Sequence, residues 1–183
     1  MPPKKPAQSG PITNRALKGR IIEMIKVLFV CHGNICRSPM AEFVMKDLAE
    51  KAGWDHQFEI SSAAVSSEEI WGGRGNPVYP AARQKLLEHG IDPGDKRARR
   101  TVREDYDRYD YLIGMDHANL RYMKQIYGGD PEHKVSLFLD WCGRKGQAVA
   151  DPWYTDDFDA AWDDILAGCT GLLEHCLSEA GRR

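Results

Sequence analysis

The segment MIKVLFVC, Met24–Cys31, constrains the fold of this chain more than any other stretch. It is a continuous apolar run rich in β-branched residues, broken only by Lys26. Such a run fits a central strand buried on both faces, as in a parallel sheet covered by helices. Gly33 ends the run. A helix is expected to open near Ser38–Pro39, because proline is favoured in a first turn. Ala41, Val44, Met45, Leu48 and Ala52 recur at helical spacing and give that helix one apolar face, and Gly53 stops it.

The same alternation continues. FEISSAA (Phe58–Ala64) reads as a second strand, followed by a Gly- and Pro-rich loop, VSSEEIWGGRGNPVYP. AARQKLLEHG (Ala81–Gly90) reads as a helix, YDYLIGMD (Tyr109–Asp116) as a third strand and HANLRYMKQIY as a helix. KVSLF (Lys134–Phe138) is the fourth strand. In the last helix, Asp157–Leu177, residues Phe158, Trp162, Ile165, Cys169, Leu172 and Cys176 share one face. Strands alternating with helices predict an α/β domain with a mainly parallel sheet. Ligands of such sheets bind beyond the carboxyl ends of the strands, and Cys31 stands at one such end.

No repeat or linker divides the chain after residue 23, so 24–183 is expected to be one domain. Residues 1–23 begin MPPKKPAQSGPITNRALKGR, Pro-rich, basic and poor in apolar residues, and are expected to be a disordered extension. They lack the apolar core of a secretory signal. Lys+Arg 25 against Asp+Glu 27 leaves a net charge of −2, which gives no general drive toward nucleic acid or anionic membrane. No apolar run approaches the ~20 residues of a membrane span. Five cysteines cannot all pair, and their spacing suits a reducing compartment, so the expected location is cytoplasmic. None of them forms a zinc-site pattern, and no metal or other cofactor is expected.

The loop CHGNICRS, Cys31–Ser38, carries the chemistry. A short turn between a buried strand and a helix can point successive backbone N–H groups inward as an anion nest, reinforced by the helix N-terminus. His32, Gly33, Asn34, Ile35 and Cys36 supply that backbone. Arg37 adds a planar fork matched to two phosphate oxygens. A cysteine at the strand end lies under this positive field, which favours its thiolate as a nucleophile. Ser38 is placed to donate a hydrogen bond to that sulfur. Asn34 tolerates left-handed backbone and can pin the loop, and Gly33 allows the tight turn. Transfer from a phosphate ester also needs an acid for the leaving oxygen. Asp151, in ADPWYTDDFD, is a candidate; these residues alone leave it equally a turn aspartate before Pro152.

The chain from about Ile25 to about Ala180 resembles the low-molecular-weight protein tyrosine phosphatases. VLFVCHGNICRSPMAE is similar to that family's signature V-C-x-G-N-x-C-R-S-P-x-A-E, and ISSAA, EHGI, ARR, DYLIGMD followed by NL, and DPWY fall in the family's order. The resemblance implies a four-stranded parallel sheet of order 2-1-3-4 between helical layers, with the anion loop joining first strand and first helix. It implies Cys31 as nucleophile, Arg37 as phosphate clamp and Asp151 as general acid and then base, with no metal. It places Asn34, Ser38 and His89 in a hydrogen-bond network behind the loop, and Trp153 and Tyr154 as walls for a substrate ring. Cys36 matches the second cysteine, a redox guard that pairs with Cys31 under oxidant. The implied partner is a tyrosine-phosphorylated protein and the product inorganic phosphate; the sequence does not set the oligomeric state, and a monomer is expected.

Two departures stand out: the extension at residues 1–23, and an insertion of roughly WGGR that makes Trp71 a candidate specificity-loop aromatic. KRARR (Lys96–Arg100) reads as surface charge, with Arg99 structural. Three alternatives compete. A thioredoxin-coupled arsenate reductase needs relay cysteines, yet none lies between Cys36 and Cys142. A protein-arginine phosphatase of the same family tends to carry threonine where Ile35 stands. A non-catalytic phosphate-binding module would not need Cys31, Arg37 and Asp151 together.

Overall fold

The computed structural model describes residues 23–182. The expected disorder of residues 1–23 lies outside them, but for the last residue. The chain runs β1 (Ile25–Cys31), α1 (Arg37–Lys51), β2 (Phe58–Ala64), β3 (Ile70–Trp71), β4 (Arg74–Gly75), α2 (Pro80–Glu88), α3 (Asp105–Arg108), β5 (Tyr111–Gly114), α4 (His117–Tyr127), β6 (Val135–Leu137), α5 (Pro152–Thr155) and α6 (Phe158–Arg182).

Four strands form one sheet in the order β2-β1-β5-β6, all neighbours parallel. Counting only these strands, the order is the expected 2-1-3-4. β1 is central, pairing Cys31 with Ala64 on one side and Val30 with Gly114 on the other. Its residues alternate between two cores, as the period of two in a strand requires. Val27, Phe29 and Cys31 face α1 and α6, where Phe29 meets Phe138 edge-on at 5.5 Å. Leu28 and Val30 face the opposite layer, with Met123 and Tyr127 of α4. This two-faced burial is why the run is apolar throughout. Helix α6 approaches closely enough that a Cβ on Gly171 would overlap the Trp141 carbonyl.

Two expectations for these elements change. The stretch after β2 is not all loop: Ile70–Trp71 and Arg74–Gly75 pair as an antiparallel hairpin. Gly72 and Gly73 make its turn at φ +55° and +77°, the positive angles a two-residue hairpin turn demands and glycine supplies without strain. In α1 the inward face uses Ala49, whereas Ala52 is exposed; the interior side also takes Arg37, Ser38 and Glu42. Those three polar residues belong to the site.

Candidate active site

Three strand-end segments converge. Val65 donates its N–H to the Cys31 carbonyl, Met115 donates to Val30, and Val149 donates to Met115. These bonds tie the end of β2, the end of β5 and the segment before Asp151 to the strand that ends in Cys31.

The Cys31 sulfur is buried and has two polar neighbours. The Asn34 N–H points to it at 3.3 Å, and the Ser38 hydroxyl lies 3.0 Å away. The Asn34 amide donates to Ser38 Oγ at 2.8 Å, so the Ser38 proton is free to go to the sulfur or to the Ala63 carbonyl at 3.4 Å. The shorter contact to the larger atom favours the sulfur. Asn34 sits at φ +59°, a left-handed position that asparagine tolerates. Its side chain fixes it there: it also donates to Ser62 Oγ at 2.9 Å and accepts from the Arg99 N–H at 3.1 Å.

The network continues into the interior. Ser62 donates to Glu42, and Lys96 Nζ lies 3.1 Å from both Glu42 Oε2 and the Ser62 carbonyl. Burial works to raise the Glu42 carboxyl, but Lys96, Lys46 and Ser62 outweigh it and hold it below the ordinary carboxylate range. Burial in turn lowers the Lys96 ammonium, against the pull of Glu42. Lys96 is therefore not surface charge. It ends a continuous chain Lys96–Glu42–Ser62–Asn34–Ser38–Cys31. Arg99 is structural, pairing with buried Asp105 at 3.0 Å.

His89 is not in this network. It is exposed, its ring stacks on Trp162 at 3.8 Å, and no hydrogen bond joins it to Asn34 or Ser38 among the described residues. The physical reason is its place at the end of α2, where the helix presents it to α6. Lys96 and Glu42 perform the support expected of it.

Arg37 is held from two sides. Its side chain is 5% exposed, with Nη1 2.9 Å from Asp116 Oδ2 and Nη2 2.9 Å from Asp151 Oδ2. Burial works to lower its pKa, but the Cys31 sulfur, Asp151 and Asp116 together outweigh that and raise it. Asp116 is itself pinned, because its other oxygen caps α4 by accepting the Asn119 N–H at 2.8 Å. Asp151 likewise accepts the Trp153 N–H at 3.1 Å as the cap of α5. Burial, with the negative charge of Cys31 and Asp151, pushes the Cys36 thiol up to about 12.

These groups floor a cleft of about 160 Å³. Cys31, His32, Gly33, Ile35, Cys36 and Arg37 form its base, and Asp151, Trp153 and Tyr154 one wall. Trp153 is 60% exposed and meets Tyr79 edge-on at 5.7 Å. Asn34 and Ser38 stand behind the floor, supporting the loop rather than lining the cleft. Trp71 is outside it as well, 73% exposed on the hairpin. Glu68 and Glu69 line the cleft in its place. Glu68 meets His32 at 3.0 Å and Glu69 accepts from Asn76 at 2.7 Å. Sequence reasoning missed Glu42, Ser62, Lys96 and Asp116, whose roles depend on partners distant in the chain.

The sequence profile described as low molecular weight phosphotyrosine protein phosphatase matches residues 26–182. The chain belongs to this family. The low-molecular-weight protein-tyrosine-phosphatase YfkJ of Bacillus subtilis is 37% identical over 157 residues, covering 85% of this chain and 98% of that protein. The crystal structure of YfkJ superposes with a TM-score of 0.80 at 35% identity, covering 86% of this chain and 97% of that one. A Drosophila arginine phosphatase structure is also similar, at TM-score 0.74 and 30% identity over 82% of this chain and 97% of its own. Protein-tyrosine-phosphatases such as YfkJ are phosphoric monoester hydrolases.

Proposed function

We propose that the chain hydrolyses phosphotyrosine and aryl phosphate monoesters in two steps through a cysteinyl-phosphate. The observation that carries this reading is the Arg37 guanidinium held between Asp116 and Asp151 beside the buried Cys31 sulfur. A phosphate dianion seated on the loop N–H groups and on Arg37 competes with Asp151 for Nη2. The exchange frees the Asp151 carboxylate, which takes up a proton from solvent and faces the ester oxygen. Cys31 attacks phosphorus in line, and the S–P bond forms as the P–O bond breaks. Asp151 gives its proton to the departing phenol. In the second step Asp151 takes a proton from water, which attacks phosphorus and releases inorganic phosphate and the Cys31 thiolate. The charge spread over the phosphoryl oxygens is met by the loop N–H groups and the Arg37 fork. Trp153 and Tyr154 flank the ring of the substrate. The setting is cytoplasmic, where the thiols stay reduced, and the substrate is a tyrosine-phosphorylated protein.

Replacing Asp151 by Asn tests the acid. Expected is a fall of about 10²–10³-fold in kcat/KM for phenyl phosphate, with little change for 2,4-dinitrophenyl phosphate, whose leaving group needs no proton. Equal slowing on both removes Asp151 as the acid.

The same assay set against phosphoarginine, phosphoserine and arsenate separates the rivals. Ile35 and the aromatic wall favour the aryl ester over phosphoarginine. Arsenate reduction lacks its relay: Cys142, Cys169 and Cys176 do not line the cleft, and Cys169 is buried against the Ala41 carbonyl.

Cys36 lines the same cleft as Cys31 and serves as the redox guard. Peroxide is expected to convert Cys31 to its sulfenic acid, which Cys36 then captures as a disulfide with loss of water. Mass spectrometry should find the Cys31–Cys36 pair, and dithiothreitol should restore activity. Irreversible loss with Cys36 still a free thiol rejects the role.

A further inference from the structure

The general acid needs its own support, and the residue that gives it lies in α6. Asp164 is 13% exposed and its two oxygens have separate tasks. Oδ2 accepts the N–H of Ala150, the residue before Asp151, at 2.9 Å. Oδ1 pairs with Arg144, whose Nε donates to Gln147 Oε1 at 3.0 Å. One carboxylate on a long helix thus grips both ends of the segment 144–150.

We propose that Asp164 is a positioning residue that sets the approach of the Asp151 carboxyl to the leaving oxygen; the inference rests on the reading of Asp151 as the acid. The backbone before Asp151 has two successive ties. The Val149 N–H goes to Met115, at the end of β5 beside Asp116, and the Ala150 N–H goes to Asp164. The first tie registers the segment to the partner of Arg37. The second fixes the peptide plane between Ala150 and its neighbour, and so the direction in which Asp151 leaves the segment. Without it, the backbone between Val149 and Pro152 is left to the Asp151 side-chain contacts with Arg37 and the Trp153 N–H, and the first of these is given up to the phosphate. Proton transfer is sensitive to such displacement, because donor and acceptor must come within hydrogen-bond reach in the transition state. Asp164 touches neither substrate nor reacting atoms, so its effect appears only in the step that uses the acid.

The test compares leaving groups in the full chain. Asp164→Ala is expected to lower kcat/KM for phenyl phosphate about tenfold, with 2,4-dinitrophenyl phosphate changed by less than about twofold. Asp164→Asn keeps a carbonyl oxygen for the Ala150 N–H and is expected to regain most of the loss. Arg144→Met, which leaves the Ala150 bond in place, should show the same selectivity more weakly and covers the case in which Asp164→Ala fails to fold. A merely structural role would lower the melting temperature and slow both substrates by one factor, and that result overturns the proposal. If Asp151→Asn shows the leaving-group dependence and neither Asp164→Ala nor Arg144→Met does, positioning by Asp164 is rejected while the acid assignment stands. If Asp151→Asn shows none, both fall together.

Discussion

Cys31→Ser is expected to abolish turnover, with kcat/KM for aryl phosphates falling by at least about 10⁴-fold, while the protein keeps its fold and its affinity for phosphate. A serine hydroxyl is a far weaker nucleophile than a thiolate, and nothing in the loop is placed to take its proton: Ser38 and the Asn34 N–H are arranged to stabilise charge on the sulfur. Yet the exchange of one atom leaves every other group in place. The buried hydroxyl still finds the Ser38 oxygen and the Asn34 N–H, so no polar group is stranded. Calorimetric titration with inorganic phosphate should therefore give a dissociation constant within about tenfold of the unaltered protein, because Arg37 and the backbone supply that binding. Residual turnover above about one per cent in Cys31→Ser would mean that another group attacks phosphorus, and the covalent route would have to be abandoned.

How much of this arrangement the sequence reveals depends on how local its causes are. The central strand is legible because burial on both faces makes Val27 to Val30 apolar without a break, and β2 is legible as the run Phe58–Ala64, whereas its register, Ala64 opposite Cys31, is set only by the pairing in the sheet. The hairpin at Ile70–Gly75 is also written locally, in a Gly-Gly pair between two short strands, but two-residue strands carry no alternation to read. The helix α5 is harder still. It spans four residues, begins at proline, and exists because the Asp151 side chain caps it.

The site divides in the same way. Cys31, Arg37 and Ser38 stand within one turn of loop and helix, so their chemistry can be inferred from their order. Lys96 and Glu42 cannot be read so. A lysine within KRARR has the composition of a solvated face, and a glutamate in an amphipathic helix is ordinarily exposed. Each becomes intelligible only when the fold brings the two within 3.1 Å in the interior, where the charge of one offsets the desolvation of the other. Asp116 poses the same difficulty. From sequence it is the last residue of the third strand; its place as the cap of α4 and its second oxygen on Arg37 depend on β5 lying beside β1. His89 marks the reverse case: a residue whose place in the order of motifs suggested a network that the geometry gives to Lys96.

Arg37 has the most demanding geometry, and its replacement by lysine should show it. Arg37→Lys is expected to lower kcat/KM by about 10³-fold, although the charge is kept. A guanidinium can present Nη1 to Asp116 and Nη2 to Asp151 at 2.9 Å each, and exchange the second contact for phosphate without losing the first. An ammonium is a single point on a flexible stem. If it pairs with Asp116 it is turned from the phosphate, and if it reaches the phosphate it leaves Asp116 and Asp151 with less compensation in a part-buried site. The inhibition constant for inorganic phosphate should weaken in the same variant, since ground-state binding uses the same fork. Thermal stability should fall too, because Asp116 is anchored as the cap of α4 and cannot turn away toward solvent without giving up that bond. A loss of less than about tenfold in kcat/KM, with phosphate inhibition unchanged, would show that charge alone suffices and that the fork geometry is not what the two aspartates preserve.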